Sequence, residues 1–143
     1  MTVIDAAGLI SFFTDEPAAA QVEELLKQPG AAMTALNLAE VLDTLERVRR
    51  YLPDELLDAV EQLVSAGLAV LSVEHEDGRD AGQLRASYYH SRTCPVSMAD
   101  CVLLACVSNR GAQLATSDAA LVQVAHRLAL EVVPLPNSAG RLP

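Results

Sequence analysis

Cysteine is scarce in this chain and oddly numbered: Cys94, Cys101 and Cys106 form no C-x-x-C pair. That excludes a disulfide framework and a zinc site, and free buried thiols are expected instead. Long apolar runs are missing too, since none reaches the roughly 18 residues that cross a bilayer. The first stretch, Met1 to Phe13, lacks a basic n-region and carries Asp5 inside what would be its apolar part. No membrane association and a cytoplasmic location are the expectation. Gly8, Gly67 and Gly111 build no G-x-G-x-x-G or P-loop, which removes support for dinucleotide or ATP binding. Positive charge is also short: 10 basic residues face 19 acidic ones, for a formal net charge of -9. Such a chain repels nucleic acid at long range. Any nucleic-acid chemistry then needs a bound divalent ion, a basic partner, or a local cluster such as Arg47, Arg49 and Arg50.

What is present is core material. Hydrophobic residues make up 51% of 143 positions and charged ones 20%, enough to bury a single core with no signature of disorder. Residues 1–143 read as one domain without repeats, low-complexity segments or linkers. Thr2 to Asp5 has the β-branched run of a buried strand, and Ala6 to Phe13 then shows helical spacing at Leu9, Ile10 and Phe13. Pro17 suits the first turn of a second helix lasting until Pro29-Gly30. Ala31 to Thr34 reads as a strand, Ala35 to Tyr51 as an amphipathic helix, and Pro53 to Gly67 as another with a glycine C-cap. Leu68 to Val73 is the clearest strand in the sequence. Glu76 to Ser91 reads as a polar surface helix with a thin apolar face. Ser97 then caps an almost all-apolar, hence buried, helix that ends near Asn109-Arg110-Gly111. Gln113 to Thr116 is a strand, Ala119 to Leu130 a helix, and Glu131 to Leu135 a last strand.

Short apolar strands alternating with longer helices predict an α/β three-layer sandwich whose short, mainly parallel central sheet is covered on both faces. In such sheets the functional crevice lies at the carboxyl ends of the strands. Asp5 closes the first strand there, and Asp118 follows Leu114-Ala115-Thr116. Glu40 and Asp100 lie near the starts of helices on the same edge. Four carboxylates facing one pocket push each other's pKa upward unless a cation joins them. An all-oxygen set of this kind suits Mg²⁺ or Mn²⁺, and Mg²⁺ keeps several waters while taking one or two direct carboxylates. By type this is a phosphoryl-transfer site.

The spacing V-I-D at the N-terminus, T-x-x-N-x-x-E at Thr34, Asn37 and Glu40, S-x-x-D at Ser97 and Asp100, and T-x-D at Thr116 and Asp118 resembles the PIN-domain ribonucleases. The likeness is nearest to the VapC-like toxins of type II toxin–antitoxin pairs and spans nearly the whole chain. It implies a single PIN-like domain acting as a metal-dependent endoribonuclease. Residues matching Asp5, Glu40, Asp100 and Asp118 would hold Mg²⁺ or Mn²⁺, while Thr34, Asn37, Ser97 and Thr116 orient them. It also implies an RNA substrate, a cognate antitoxin that blocks the acidic pocket with a basic side chain, and a homodimer. Some relatives carry a further acid after the fourth, where this chain has Ala119 and Ala120, so one metal ion is expected.

Each motif also has an ordinary explanation. Asp5 can serve as a strand-end turn residue, Asp118 as the cap of the following helix, and Asp100 as the distal acid of a capping box with Ser97. Glu40 is favoured near a helix start by the dipole alone. Thr116 is equally a β-branched strand residue and Asn37 an N-cap. His75, His90 and His126 have no partner at ligand spacing. Arg47, Arg49 and Arg50 form the solvated end of a helix as well as the sequence's candidates for phosphate contacts. A catalytically silent acidic interaction module is the alternative reading. A phosphatase or receiver-like site with Asp5 as nucleophile loses support, because Ala7 stands where a second Asp would be.

Overall fold

Three short β-branched or apolar runs supply the middle of the sheet. A computed structural model describes residues 1–143, and in it β1 (Thr2–Ile4) pairs in parallel with β2 (Ala31–Thr34) on one side and β4 (Gln113–Thr116) on the other. The edge strands β3 (Ala69–Leu71) and β5 (Val132–Pro134) complete a five-stranded, all-parallel sheet in the order β3-β2-β1-β4-β5. Pro134, which has no N–H to give to a ladder, sits on an edge strand, as it must.

Alternation along the strands sorts their side chains into two layers. Val3, Ala32 and Leu114 are in register, and they pack with α6 (Met98–Asn109), α5 (His75–Tyr88) and α7 (Ala119–Arg127). Ala31 and Met33 point the other way, onto Leu9 of α1 (Ala6–Phe13), Val41 of α3 (Ala35–Asp43) and Leu56 and Val60 of α4 (Pro53–Ser65). Ile4 and Ala115 join Val22 and Leu25 of α2 (Ala19–Leu26) beside them. Every residue of α6 from Cys101 to Val107 is buried, which explains why that helix has no polar face. All three cysteines are free and buried. Burial pushes the Cys106 thiol up to about 12, so it is chemically quiet.

Two glycines are needed where they stand. Gly67 takes φ +120° just past α4, a backbone that turns the chain into β3 and that L side chains rarely adopt. Gly8 lets α1 sit tight against the sheet: a Cβ there would lie 2.9 Å from Ile4 Cγ2, 3.0 Å from Leu135 Cδ1 and 3.1 Å from Asp5 Oδ1.

Several elements differ from the sequence expectation. The helix expected from Ala35 to Tyr51 is α-helical only to Asp43, then widens into a π-helical turn over Thr44–Val48, and Arg50 at φ +64° ends it. Leu68 to Val73 contracts to the three residues of β3, whose Ala69 and Val70 are exposed on the sheet edge. An apolar run there reflects an edge strand rather than a core strand. The helix expected from Glu76 to Ser91 is α5, and it is more than a surface cover. Its Asp77 and Ala81 are buried, and it packs along α6. No helix is long and apolar enough to cross a membrane.

Candidate metal centre

Chain order runs from β1 outward to β2 and β3, then returns to the other side of β1 for β4 and β5. The crevice outside the carboxyl ends of β1 and β4 is therefore the switch point where such sheets place ligands. Asp5 follows β1 directly, and Asp118 comes two residues after β4.

Asp5 follows β1 and caps α1. Its Oδ1 accepts the Gly8 N–H at 2.6 Å, and its Oδ2 accepts the Thr116 hydroxyl. The Asp5 N–H in turn donates to the Ala115 carbonyl at 3.0 Å, which ties the end of β1 to β4. The side chain is buried, at 3% exposure. Burial raises its pKa to about 6; the bonds from Thr116 and Gly8 hold it down, while Asp118 and Asp100 push it further up.

Thr116, at the end of β4, is fully buried and links two acids. Its hydroxyl donates to Asp5, and its oxygen accepts the Asp118 N–H at 3.0 Å. Asp118 caps α7, its Oδ1 accepting from Ala120 N at 2.6 Å and Leu121 N at 3.2 Å. On the other side of β1, Thr34 ends β2 and caps α3. Its hydroxyl donates to Asn37 Oδ1 at 2.8 Å and accepts the Asn37 N–H at 3.0 Å. This fixes the Asn37 amide so that Nδ2 donates to Glu40 Oε2 at 2.8 Å. Partial burial raises the Glu40 pKa, opposed by the Asn37 bond and reinforced by Asp100. Asp100 completes a capping box at the start of α6: Ser97 Oγ accepts the Asp100 N–H at 3.0 Å, and Asp100 Oδ2 accepts the Ser97 N–H at 2.7 Å.

Asp5, Glu40, Asp100 and Asp118 all line one cavity of about 180 Å³, together with Asn37 and an apolar wall of Ala6, Ala7 and Leu121. No basic side chain lines it. No three of the chain's His, Cys, Asp and Glu side chains are gathered at metal-ligand distances, so the acids surround the cavity rather than meet at a point. A cap bond takes one oxygen of Asp100 and of Asp118, and the Asn37 amide takes one of Glu40. Asp100 Oδ1, Asp118 Oδ2 and Glu40 Oε1 have no protein hydrogen-bond partner. Three free carboxylate oxygens and a buried acid with a raised pKa, around a space several times the roughly 30 Å³ share of one water, fit a hydrated divalent cation. Mg²⁺ is the ion that typically binds carboxylates through retained water.

Two larger cavities do not compete for that role. One of about 300 Å³, between α5 and α6, contains Asp80 as its single carboxylate, and Arg79 at 2.8 Å already engages that group. The other, of about 340 Å³ beside Phe12, Leu26 and Leu63, has only Glu23, paired with Lys27 at 2.9 Å.

Arg47, Arg49 and Arg50 do not line the acidic cavity. Arg47 pairs with Asp43 at 2.7 Å and Arg49 with Glu16 at 2.6 Å, at the far end of the helix that carries Glu40. A different cation, Arg110, went unnoticed in the sequence. It forms a bidentate pair with buried Asp77, both contacts at 3.0 Å, and locks the start of α5 to the end of α6. Burial alone would raise the Asp77 carboxyl, but Arg110, the Glu74 N–H and Asn109 hold it well below the usual carboxylate range. A helix end followed by Gly111 gives no hint of a partner 33 residues away.

The backbone is similar to several solved structures. DNA-bound VapBC from Salmonella typhimurium shares 19% identity over 92% of this chain and 96% of that chain, with a TM-score of 0.67. FitAcB from Neisseria gonorrhoeae shares 16% over 92% and 96%, at 0.65. Mycobacterium tuberculosis VapC20, described as a sarcin–ricin-loop-cleaving toxin, shares 15% over 86% and 94%, at 0.67. At such identities the likeness is one of fold. No curated protein sequence matches the chain. The family model of the PIN domain, however, matches residues 2–127, a span that contains β1, all four acids and every residue that positions them, and the chain belongs to that family.

Proposed function

We propose that this chain is a metal-dependent endoribonuclease that hydrolyses RNA phosphodiester bonds, serving as the toxin of a toxin–antitoxin pair. The observation that carries the reading is the convergence of four carboxylates, from four different elements, on one cavity without a basic side chain. Membership of the PIN family supports it, and so do the names of structures that share the fold, among them toxin–antitoxin complexes and a sarcin–ricin-loop-cleaving toxin.

Asp5 would form the buried anchor, and the free oxygens of Asp100, Asp118 and Glu40 would hold the ion. Thr116 fixes Asp5 and the Asp118 backbone, Ser97 fixes Asp100, and Thr34 acts through Asn37 to fix Glu40. A bound Mg²⁺ or Mn²⁺ would supply charge neutralisation at the scissile phosphate and a lowered pKa for the attacking water. With Ala119 and Ala120 after the last acid, one ion is the expected number.

The test is cleavage of structured RNA by purified protein with Mg²⁺ or with chelator, beside Asp100→Asn. Metal-dependent cutting that falls at least a hundredfold in the variant supports the reading, and equal activity in both refutes it. Because three of the acids also cap helices or complete a capping box, a catalytically silent interaction module is the competing reading; it predicts no cleavage and no Mn²⁺ binding at millimolar concentration. An antitoxin that inserts an Arg or Lys among the acids fits the net charge of -9. Adding it should lower the cleavage rate, and an unchanged rate would count against that partner. The homodimer belongs to the same proposal.

A further inference from the structure

The acidic balance of this chain conceals one face on which positive charge is not neutralised. Of its ten basic residues, Lys27, Arg47, Arg49, Arg79 and Arg110 are in ion pairs. Arg50, Arg85, Arg92, Arg127 and Arg141 have no carboxylate partner, and three of these five come together. Arg85, in the last turn of α5, lies with its guanidinium 4.3 Å from the centre of the Tyr89 ring, and its Nε donates to the Val96 carbonyl at 3.4 Å. The Arg127 guanidinium, at the end of α7, lies 5.7 Å from the Tyr88 ring. Arg92 sits at the tip of the loop between them.

That loop is held in shape. His90 and Cys94 exchange backbone bonds of 2.9 and 3.0 Å, and His90 Nδ1 accepts the N–H groups of Arg92 and Thr93 at 3.3 Å. The Gln123 amide lies between the loop and α7, 3.2 Å from the Thr93 carbonyl and 3.1 Å from the Arg127 guanidinium when its nitrogen is assigned to the carbonyl side. No Asp or Glu occurs between Asp80 and Asp100, or between Asp118 and Glu131. Tyr89 is 46% exposed.

Short stretches of chain link this face to the elements that carry the acidic cavity. Val96, which receives Arg85, lies four residues before Asp100, and Gln123 lies five residues, roughly 7–8 Å of helix rise, beyond Asp118. Guanidinium groups beside an exposed ring are the ordinary means of holding a single nucleic-acid strand: charge follows the phosphates and the aromatic face takes a base. We propose that the face of Arg85, Tyr89, Arg92 and Arg127 is the surface on which a single-stranded segment of the RNA lies beside the cavity, with a base stacked at Tyr89 and phosphates on the arginines. The proposal rests on the nuclease reading for its ligand but makes a binding claim of its own.

Binding is therefore measured apart from cleavage. Fluorescence anisotropy follows a labelled oligouridylate of about twelve nucleotides on Asp100→Asn protein in chelator, across a range of salt. Tyr89→Ala is expected to weaken binding roughly tenfold while Tyr89→Phe retains it. Arg92→Ala should reduce the slope of log K against log salt by about 0.7, as for loss of one phosphate contact on a single strand, and Arg141→Ala should leave the slope unchanged. Tyr89 and Arg92 are both exposed, so neither variant threatens the fold. Binding of Tyr89→Ala within twofold of the parent, with an unaltered slope for Arg92→Ala, overturns the proposal. So does a polyglutamate peptide that binds this face more tightly than the RNA, which would make it a docking site for an acidic protein. Strand binding that behaves as expected in a protein that never cuts RNA upholds this surface and refutes only the nuclease reading.

Discussion

Asp5 is the residue on which the site's electrostatics turn. Its pKa of about 6, against an ordinary 3.8, means that the folded protein holds a proton on Asp5 more tightly than the unfolded chain does. Stability contributed by that proton is complete below about pH 4 and is lost as pH rises through about 6. The metal-free protein should therefore lose about 2 kcal/mol between pH 4 and pH 7 through this group alone. Urea unfolding in chelator checks this: Asp5→Asn should flatten the dependence and be more stable than wild type at pH 7.5. A wild-type stability that rises over the same window would contradict the assignment. Saturating Mn²⁺ should reverse the trend in wild type, because a cation favours the ionised acid. The sequence exposed this residue readily, since an acid ending a buried strand contradicts the preference of carboxylates for solvent. It did not reveal the support beneath it. Thr116 and Asn37 are legible as types, but the bonds that make Thr116 join two acids, and Asn37 aim Glu40, depend on contacts across strands.

Helix starts position the acids. Asp5 and Asp118 cap α1 and α7, Asp100 closes the capping box of α6, and Glu40 lies in the second turn of α3 behind its Thr34 cap. The positive ends of these helices ease the crowding of negative charge that the cavity imposes. Capping and metal binding are thus compatible uses of one side chain, because each outer acid gives one oxygen to its helix and leaves the other free. The α5–α6 pair depends on a different ionic contact. Removing Arg110 strands the carboxylate of Asp77, which is 1% exposed, and a buried charge without its partner typically costs about 3–5 kcal/mol. Arg110→Ala should lower the melting temperature by roughly 10 °C, and Asp77→Asn combined with Arg110→Met should recover part of that loss. A melting temperature unchanged within about 2 °C would show the pair to be ornamental. Wild-type stability from this pair is present above about pH 4 and lost as pH falls below it, since the folded Asp77 carboxyl is held under its unfolded value. Periodicity revealed α1, β2 and β4 to the residue. It failed at the π-helical turn, at the edge strand β3 and at the buried Asp77 of α5, whose partner Arg110 is distant in sequence.

At the scale of the whole molecule, the parallel order β3-β2-β1-β4-β5 places the ends of β1 and β4 side by side and brings together acids as far apart in sequence as Asp5 and Asp118. That architecture was legible, because alternating short apolar strands and longer helices leave few other arrangements. The distribution of charge was less so. A net charge of -9 hides an acid-free stretch from residue 81 to 99, and only the fold brings Arg127 alongside it. The sequence drew attention instead to Arg47, Arg49 and Arg50, two of which the fold neutralises with local acids. The central claim is that four carboxylates standing around one cavity hold a single divalent cation. Anomalous diffraction from crystals soaked in Mn²⁺ tests it most directly: one peak inside the cavity bounded by Asp5, Glu40, Asp100 and Asp118, absent from Asp100→Asn crystals, is the predicted result, and an empty cavity at saturating Mn²⁺ would contradict it.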